Sequence, residues 1–248
     1  MVKVKVAVQN LSKSFNGIQV LSNINLEVKE GESFVIIGPS GCGKSVLIKS
    51  IIGILLPDPG SVVMIGGEDV TFTPIIKRTN MLGTFAVLFQ GGALFDSLQV
   101  WENVAFMSLQ AGMKPSEAKE MAMHKLSLVE LDASKMHLYP AELSGGMQKR
   151  VALARAIALN PSLIFFDEPT TGLDPIMSQT ITALIGKLSR ELGAATVTIT
   201  HDLKCVKGIA DTIAMIHDGG IIWSGNITEL ENSQDPIVSR FIGNSHGT

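Results

Sequence analysis

A lysine and a serine closing a glycine-rich octet carry the first chemistry in this chain. Gly38, Pro39, Ser40, Gly41, Cys42, Gly43, Lys44 and Ser45 follow the apolar run Ser33–Ile37, helical spacing runs over Lys44–Gly53, and Val46 is expected to join the octet in binding nucleotide. The pattern G-x-x-x-x-G-K-[ST] between a strand and a helix reads as a phosphate cradle. Glycines let backbone N–H groups turn inward, and the helix start adds positive potential. Lys44 is expected to reach the β- and γ-phosphates of a nucleoside triphosphate, and the Ser45 hydroxyl to ligate Mg²⁺. A second apolar run, Leu163–Phe166, ends in Asp167 and Glu168. A buried strand that delivers two carboxylates needs a cation, because unpaired buried charge is costly. Asp167 is the expected Mg²⁺ partner. Glu168, one residue on, points elsewhere and is expected to orient and deprotonate an attacking water.

The third segment is Leu143–Met147, LSGGM. Ser144, Gly145 and Gly146 place a hydroxyl and free N–H groups at a helix start, which suits an anion. Taken alone, Ser-Gly-Gly is a helix cap. The long separation from Ser45 argues against both loops of one chain meeting a single phosphate, whereas two chains arranged head to tail allow it.

The elements that must position these residues alternate. Lys3–Phe15 and Gln19–Val28 read as antiparallel strands, Ser33–Ile37 as a buried strand, Lys44–Gly53 as a helix, and Ser61–Ile65 and Gly83–Phe89 as strands. Trp101–Gln110, Pro115–Glu130 and Ser144–Leu159 look helical, a change of character over residues 91–160. After Asn160-Pro161 the alternation resumes with strand Leu163–Asp167, helix Pro175–Leu192, strand Thr196–Thr200 and helix Leu203–Ile209. Asp174 and Pro175 fit the N-cap and first position of their helix. Such alternation predicts an α/β protein with a mainly parallel sheet covered on both faces. Methionines 107, 113, 121, 123 and 136 are expected as adaptable core packing rather than ligands.

Composition narrows the classes further. The 248 residues suit one α/β domain with an inserted subdomain. A net charge of −3 and a pI near 6.0 argue against a nucleic-acid-binding face. Mean hydropathy is +0.31, yet no apolar run approaches the ~18 residues of a spanning helix. The start, MVKVKVAV, alternates lysine with valine like a half-exposed strand and lacks the apolar region of a signal peptide, so a cytosolic placement is expected. Cys42 and Cys205 make no disulfide or metal framework. His124, His137, His217 and His246 have no chemical context and are expected at the surface or in packing.

These segments, in this order, resemble the nucleotide-binding subunit of ABC transporters over essentially the whole chain. The resemblance implies a P-loop ATPase of the ABC type. Its mainly parallel core would carry an antiparallel β part (residues 1–90 and 161–233), a helical subdomain (91–160), and a C-terminal helix and tail (234–248). It also implies ATP and Mg²⁺, and a homodimer with ATP sandwiched between two copies. Phe15 matches the aromatic that stacks on adenine, a core phenylalanine being the alternative. Gln90 matches the glutamine that senses Mg²⁺ and γ-phosphate, and His201 the histidine that holds γ-phosphate. Asp174 matches the aspartate that contacts the opposite phosphate loop, although capping alone would also account for it. Met147 replaces the glutamine commonest after Leu-Ser-Gly-Gly, a swap found in several importer-like and lipid-transport branches.

A narrower resemblance covers LFQGGALFDSLQVWENVAF at Leu88–Phe106, AELSGGMQKRVALARAIAL and DEPTTGLDPIMS. These look like the Mla-type ATPases of phospholipid transporters whose partners carry MCE domains. The implied partners are a membrane permease docking near Gln90–Trp101, an MCE-domain protein and a small STAS-domain protein, with no nucleic acid. The implied location is peripheral, on the cytoplasmic side of the inner membrane. Phe85, Phe89, Phe95, Trp101 and Phe106 crowd the docking interval; some are expected in the core and others in an apolar groove. An importer of small solutes, such as amino acids, is the near alternative. A soluble ABC ATPase is a more distant one, because such chains usually carry two ATPase units or long coiled-coil insertions. A nucleotide kinase or GTPase would leave LSGGM without a purpose.

Overall fold

The computed structural model describes residues 3–78, 81 and 83–245, so Met1, Val2 and His246 lie outside the described residues. Two sheets organise the chain. Strands β1 (Val4–Phe15) and β2 (Ile18–Lys29) form a long antiparallel hairpin. Its two-residue turn is Asn16-Gly17, both at positive φ, which matches the twist of the flanking strands. Alternate residues Ile24, Leu26 and Val28 point inward. This hairpin joins β4 (Val62–Ile65) and the short β5 (Glu68–Asp69) in the order β2-β1-β4-β5. Phe15 thereby sits at the hairpin tip, paired with Ile18.

The second sheet runs β10-β9-β3-β8-β7-β6. Strands β3 (Ser33–Ile37), β6 (Phe85–Leu88), β7 (Leu163–Asp167), β8 (Ala195–Ile199) and β9 (Thr212–His217) are parallel, and β10 (Gly220–Gly225) closes the edge antiparallel to β9. The central strands are apolar at almost every position because both faces are covered. Their side chains alternate between two cores. Val35, Ile37, Ile164, Phe166, Ile213 and Met215 face one; Phe34, Ile36, Leu163, Phe165, Ala214 and Ile216 face the other. Helix α1 (Lys44–Ile52) packs Leu47, Ile48, Ile51 and Ile52 into the second core and ends at left-handed Gly53. The first core is completed by α2 (Val100–Gln110), α3 (Pro115–Leu128), α4 (Gly145–Ala156), α5 (Pro175–Leu192) and α6 (Leu203–Ile209). Residues from α7 (Ile227–Glu231) and α8 (Pro236–Ser245) complete it, with Leu230 and Val238 buried. No helix among the described residues is long and apolar enough to cross a membrane.

The expected α/β alternation is present, with ends displaced by a few residues where helices stop earlier than their apolar pattern. Helix α4, for example, ends at Ala156 rather than Leu159. The β9–β10 hairpin lies beyond the expected alternation; its sequence signal is Asp218-Gly219, a turn dipeptide at positive φ between apolar runs. Two packing expectations need correction. Met136 is buried and Met113 and Met121 pack against the first core, but Met107 and Met123 are exposed. Of the five aromatics between 85 and 106, Phe95 alone is exposed, at 42%, and stacks on Phe106 with centroids 4.5 Å apart. Trp101 is buried, while Phe85 and Phe89 pack on the second core. The crowding therefore serves the core first, and an apolar groove there reduces to the Phe95 edge.

Candidate active site

Parallel strands in an open α/β sheet bring their carboxyl ends to one edge, where ligands bind. Register makes that edge even here: Ile36 pairs with Ile199, Ile199 with Asp167, and Leu88 with Phe166. The segments that follow these ends carry Gly38, His201, Glu168 and Gln90. A cleft of about 360 Å³ at this edge is lined by Gly41, Gly43–Val46, Gln90, Glu168, Thr171 and His201, with Val20 and Ser40.

The glycine loop is built to bring backbone close to something. Gly38 stands at φ 150, and a Cβ there would collide with the Ile216 carbonyl. Gly43, at φ 101, is the N-cap of α1 and provides no side chain to occupy the amides that follow. Those amides and the helix dipole face the cleft as a ready anion site. Lys44 is buried, and its ammonium donates to the Gly38 carbonyl at 2.8 Å and the Pro39 carbonyl at 2.9 Å. Its charge is thus held at the loop. Cys42 is half-buried; burial pushes its thiol up, while the Lys44 charge pulls the other way. Cys205 is buried in the first core, which pushes its thiol up to about 11.

Ser45 donates its hydroxyl hydrogen to Asp167 Oδ1 at 3.1 Å, so the two expected Mg²⁺ partners are in contact. Asp167 is 6% exposed. Burial lifts its carboxyl above the ordinary value and the Glu168 charge adds to this, whereas the Ser45 hydrogen bond, Lys49 and Lys44 oppose it. A desolvated carboxylate beside a hydroxyl is a donor set for a hard cation that also keeps phosphate oxygens and waters. Among the described residues no group of three or more His, Cys, Asp and Glu side chains could hold a metal ion by itself.

The position of this acid has a stability consequence. The folded-state value lies above the unfolded one, so the stability this group contributes is complete below the unfolded value. It is lost as pH rises through the folded one. We predict that Asp167→Asn raises the Tm of the metal-free protein at neutral pH by about 2–4 °C, or on the order of 1 kcal/mol. The gap should narrow as pH falls towards the ordinary carboxylate range. Thermal unfolding at two pH values checks it, and a Tm equal to or below that of the parent at neutral pH would count against the assignment.

Glu168 leaves the strand in a left-handed conformation, φ 50, with its N–H on the Ile199 carbonyl at 2.9 Å. That twist, unusual for a residue with a Cβ, separates the two adjacent carboxylates. Asp167 turns to Ser45, whereas Glu168 meets His201. His201 Nδ1 lies 3.0 Å from Oε1 and 2.9 Å from Oε2, and the Thr171 hydroxyl donates to Oε2 at 3.1 Å. The Glu168 side chain is mostly enclosed and the His201 side chain is 58% exposed. Thr171 did not emerge from sequence; it lies three residues past Glu168 in a turn that only the folded loop reveals.

The remaining expected residues are placed less centrally. Phe15 is 39% exposed, with Lys13 Nζ 5.2 Å from its ring centroid, so it is a surface ring rather than a core one. Asp174 caps α5, accepting from the Ile176 and Met177 N–H groups at 3.0 and 2.9 Å. Ser144 caps α4, its hydroxyl accepting from the Met147 N–H at 3.4 Å. A side chain on Gly146 would fall on Met177. None of Ser144, Gly145 and Gly146 lines the cleft.

Comparison with known proteins gives the family. The ABC transporter profile matches residues 21–171. A probable ribonucleotide transport ATP-binding protein, mkl, of Mycobacterium leprae is 36% identical over 96% of this chain, which spans 69% of that protein. The same-named proteins of other mycobacteria are spanned to 66%. The intermembrane phospholipid transport system ATP-binding protein MlaF of Haemophilus influenzae is 38% identical over 98% of this chain and 92% of its own length. The methionine import protein MetN of Francisella tularensis is also 38% identical, over 97% of this chain and 69% of its own length. A dimeric post-hydrolysis state of the ATP-binding cassette MJ0796, bound to ADP and Pi, superposes with a TM-score of 0.82 at 31% identity, covering 90% of this chain and 98% of that one. A cradle joined to a Ser45–Asp167 pair and a Glu168–His201 pair, on this fold and with these relatives, identifies the chain as a member of the ABC transporter family: an ATP-hydrolysing cassette that uses ATP with Mg²⁺.

Proposed function

We propose that the chain energises phospholipid transport between membranes, as two copies clamping two ATP molecules on the cytoplasmic side of the inner membrane. The observation that carries the clamp is the separation within one chain. The cleft is lined by Ser40, Gly41, Gly43–Val46, Gln90, Glu168 and His201, with Asp167 bonded to Ser45 beside it, while Ser144–Gly146 present a capped helix start outside it. A second copy supplies what the cleft lacks.

Residues 38–46 wrap the triphosphate, Lys44 turning from its own loop carbonyls to the β- and γ-phosphates, and Phe15 stacks on adenine. Ser45, Asp167 and Gln90 would hold Mg²⁺, whose charge neutralises phosphate oxygens. Glu168, fixed by His201 and Thr171, takes a proton from water as the water oxygen bonds to the γ-phosphorus and the bridge to ADP breaks. His201 and Asp174 respond to the γ-phosphate and to the opposite loop. Closing a dimer from 1:99 to 99:1 needs about 5.5 kcal/mol of differential binding. Hydrogen bonds to charged groups contribute roughly 1.5–3 kcal/mol each. Two or three cross-dimer bonds per γ-phosphate are therefore sufficient, and hydrolysis releases them.

The lipid assignment rests on the MlaF similarity and on the residues of Leu88–Phe106. The permease is proposed to dock near Gln90–Trp101, where Phe95 is exposed, with an MCE-domain protein and a small STAS-domain protein in the same complex. The MetN similarity supports a second reading, an importer of a small solute. Affinity capture of the tagged chain from detergent-solubilised membranes separates the two. We expect an MCE-domain protein and a permease, with ATP turnover changed by the permease. Recovery of a solute-binding protein instead, with no MCE-domain protein, decides for the importer.

A further inference from the structure

Helix α4 does more than present Ser144. Its buried face grips the loop that follows β6 through three donated hydrogen bonds, all to backbone carbonyls. Lys149, 7% exposed, donates its ammonium to the Gln90 carbonyl. Arg155 spreads its guanidinium over the next two carbonyls on offer, Gly92 at 2.7 Å and Ala93 at 2.8 Å. Its plane also lies 5.7 Å from the Phe95 ring centroid. Between them Ala152 approaches to where a Cβ on Gly92 would stand 3.4 Å away. Gly92 and Ala93 are both left-handed, at φ 72 and 49, a pairing that costs energy at the alanine and persists only when its surroundings impose it. The Arg155 fork bonds the carbonyls of both residues, and the Gly92 N–H bonds the Phe89 carbonyl at 2.8 Å. Beyond Ala93 the loop is held by buried Asn103 of α2, which accepts from the Phe95 N–H at 2.8 Å and donates to the Phe95 and Leu98 carbonyls.

We propose that Lys149 and Arg155 are positioning residues that make the Gln90–Ala93 backbone part of the α4 body, so that Gln90 moves with the helix that begins at Ser144. Lys149 lies five positions after Ser144, about 7.5 Å of helix rise. A displacement of the helix start is therefore delivered to the Gln90 carbonyl with little slack. Seating of a partner's nucleotide on Ser144 and placement of Gln90 near Ser45 and Asp167 become one event. The inference rests on the proposed role of Gln90 at the metal and γ-phosphate.

A double-mutant cycle tests it. Lys149→Met keeps the length of the side chain and removes the donor and charge. It should lower kcat about tenfold with KM for ATP changed less than twofold, because the loop is misplaced while the phosphate cradle is untouched. In a Gln90→Ala background the same substitution should change kcat by less than twofold, since there is no longer a side chain to place. Full additivity overturns the proposal, as does a Lys149→Met enzyme with the parent kcat. If Gln90→Ala alone leaves kcat unchanged, the proposal falls together with the assigned role of Gln90, and that outcome is read separately from the other two. Should Lys149→Met fail to fold, Arg155→Lys, which keeps the charge but not the fork, replaces it in the same cycle with the same criteria.

Discussion

Glu168→Gln is expected to slow ATP turnover on the order of 10²–10⁴-fold while ATP binding stays within about threefold of the parent. That range corresponds to roughly 2.7–5.4 kcal/mol of barrier, the size of a lost general base. The amide is isosteric, so the Thr171 hydroxyl and His201 keep a partner at the same place. What is lost is the capacity to accept a proton. Binding should be spared because the proposed phosphate holders are the loop amides and Lys44, which Glu168 does not contact among the described hydrogen bonds. Nucleotide should then remain trapped, and size-exclusion chromatography with MgATP should shift towards dimer. Steady-state turnover within twofold of the parent would remove Glu168 from the role of base.

Ser144→Asp is the second large effect. Aspartate caps a helix as well as serine does, so the fold of α4 and the Tm should be preserved. Its charge, however, would meet the γ-phosphate of the partner's nucleotide. Hydrolysis should fall at least 10²-fold, with nucleotide affinity of the isolated chain unchanged within about threefold. Turnover per chain should also decline on dilution. Undiminished specific activity at concentrations where only monomer elutes would overturn the two-copy arrangement, as would an active Ser144→Asp protein.

Much of the site was legible because its chemistry is written locally. Gly38–Ser45 needs only its own glycines and the strand and helix on either side, and Asp167-Glu168 needs only the end of an apolar run. Capping by Asp174 and Ser144 was legible for the same reason: a cap acts within three residues. The Met and Phe positions between 85 and 136 were less so, since a type of side chain does not say which face of its helix meets the core. Met107 and Met123 consequently emerged exposed and Trp101 buried. Thr171, Lys149 and Arg155 were not legible at all. Their partners are a carboxylate and backbone carbonyls, groups that every residue or many residues share, and no spacing rule selects among them.

The sequence by itself determined the class of fold, the glycine loop between β3 and α1 and the place of the two acids at the end of β7, because these follow from short-range backbone conformation and from apolar periodicity. Tertiary structure alone decided which side chains the two acids meet. Adjacent in the chain, Asp167 and Glu168 are turned apart by one left-handed residue, and each receives its partner from a different strand end: Ser45 after β3 and His201 after β8. Tertiary structure likewise decided that Gln90 hangs from α4, since hydrogen bonds between residues some sixty positions apart exist only once packing has closed that distance.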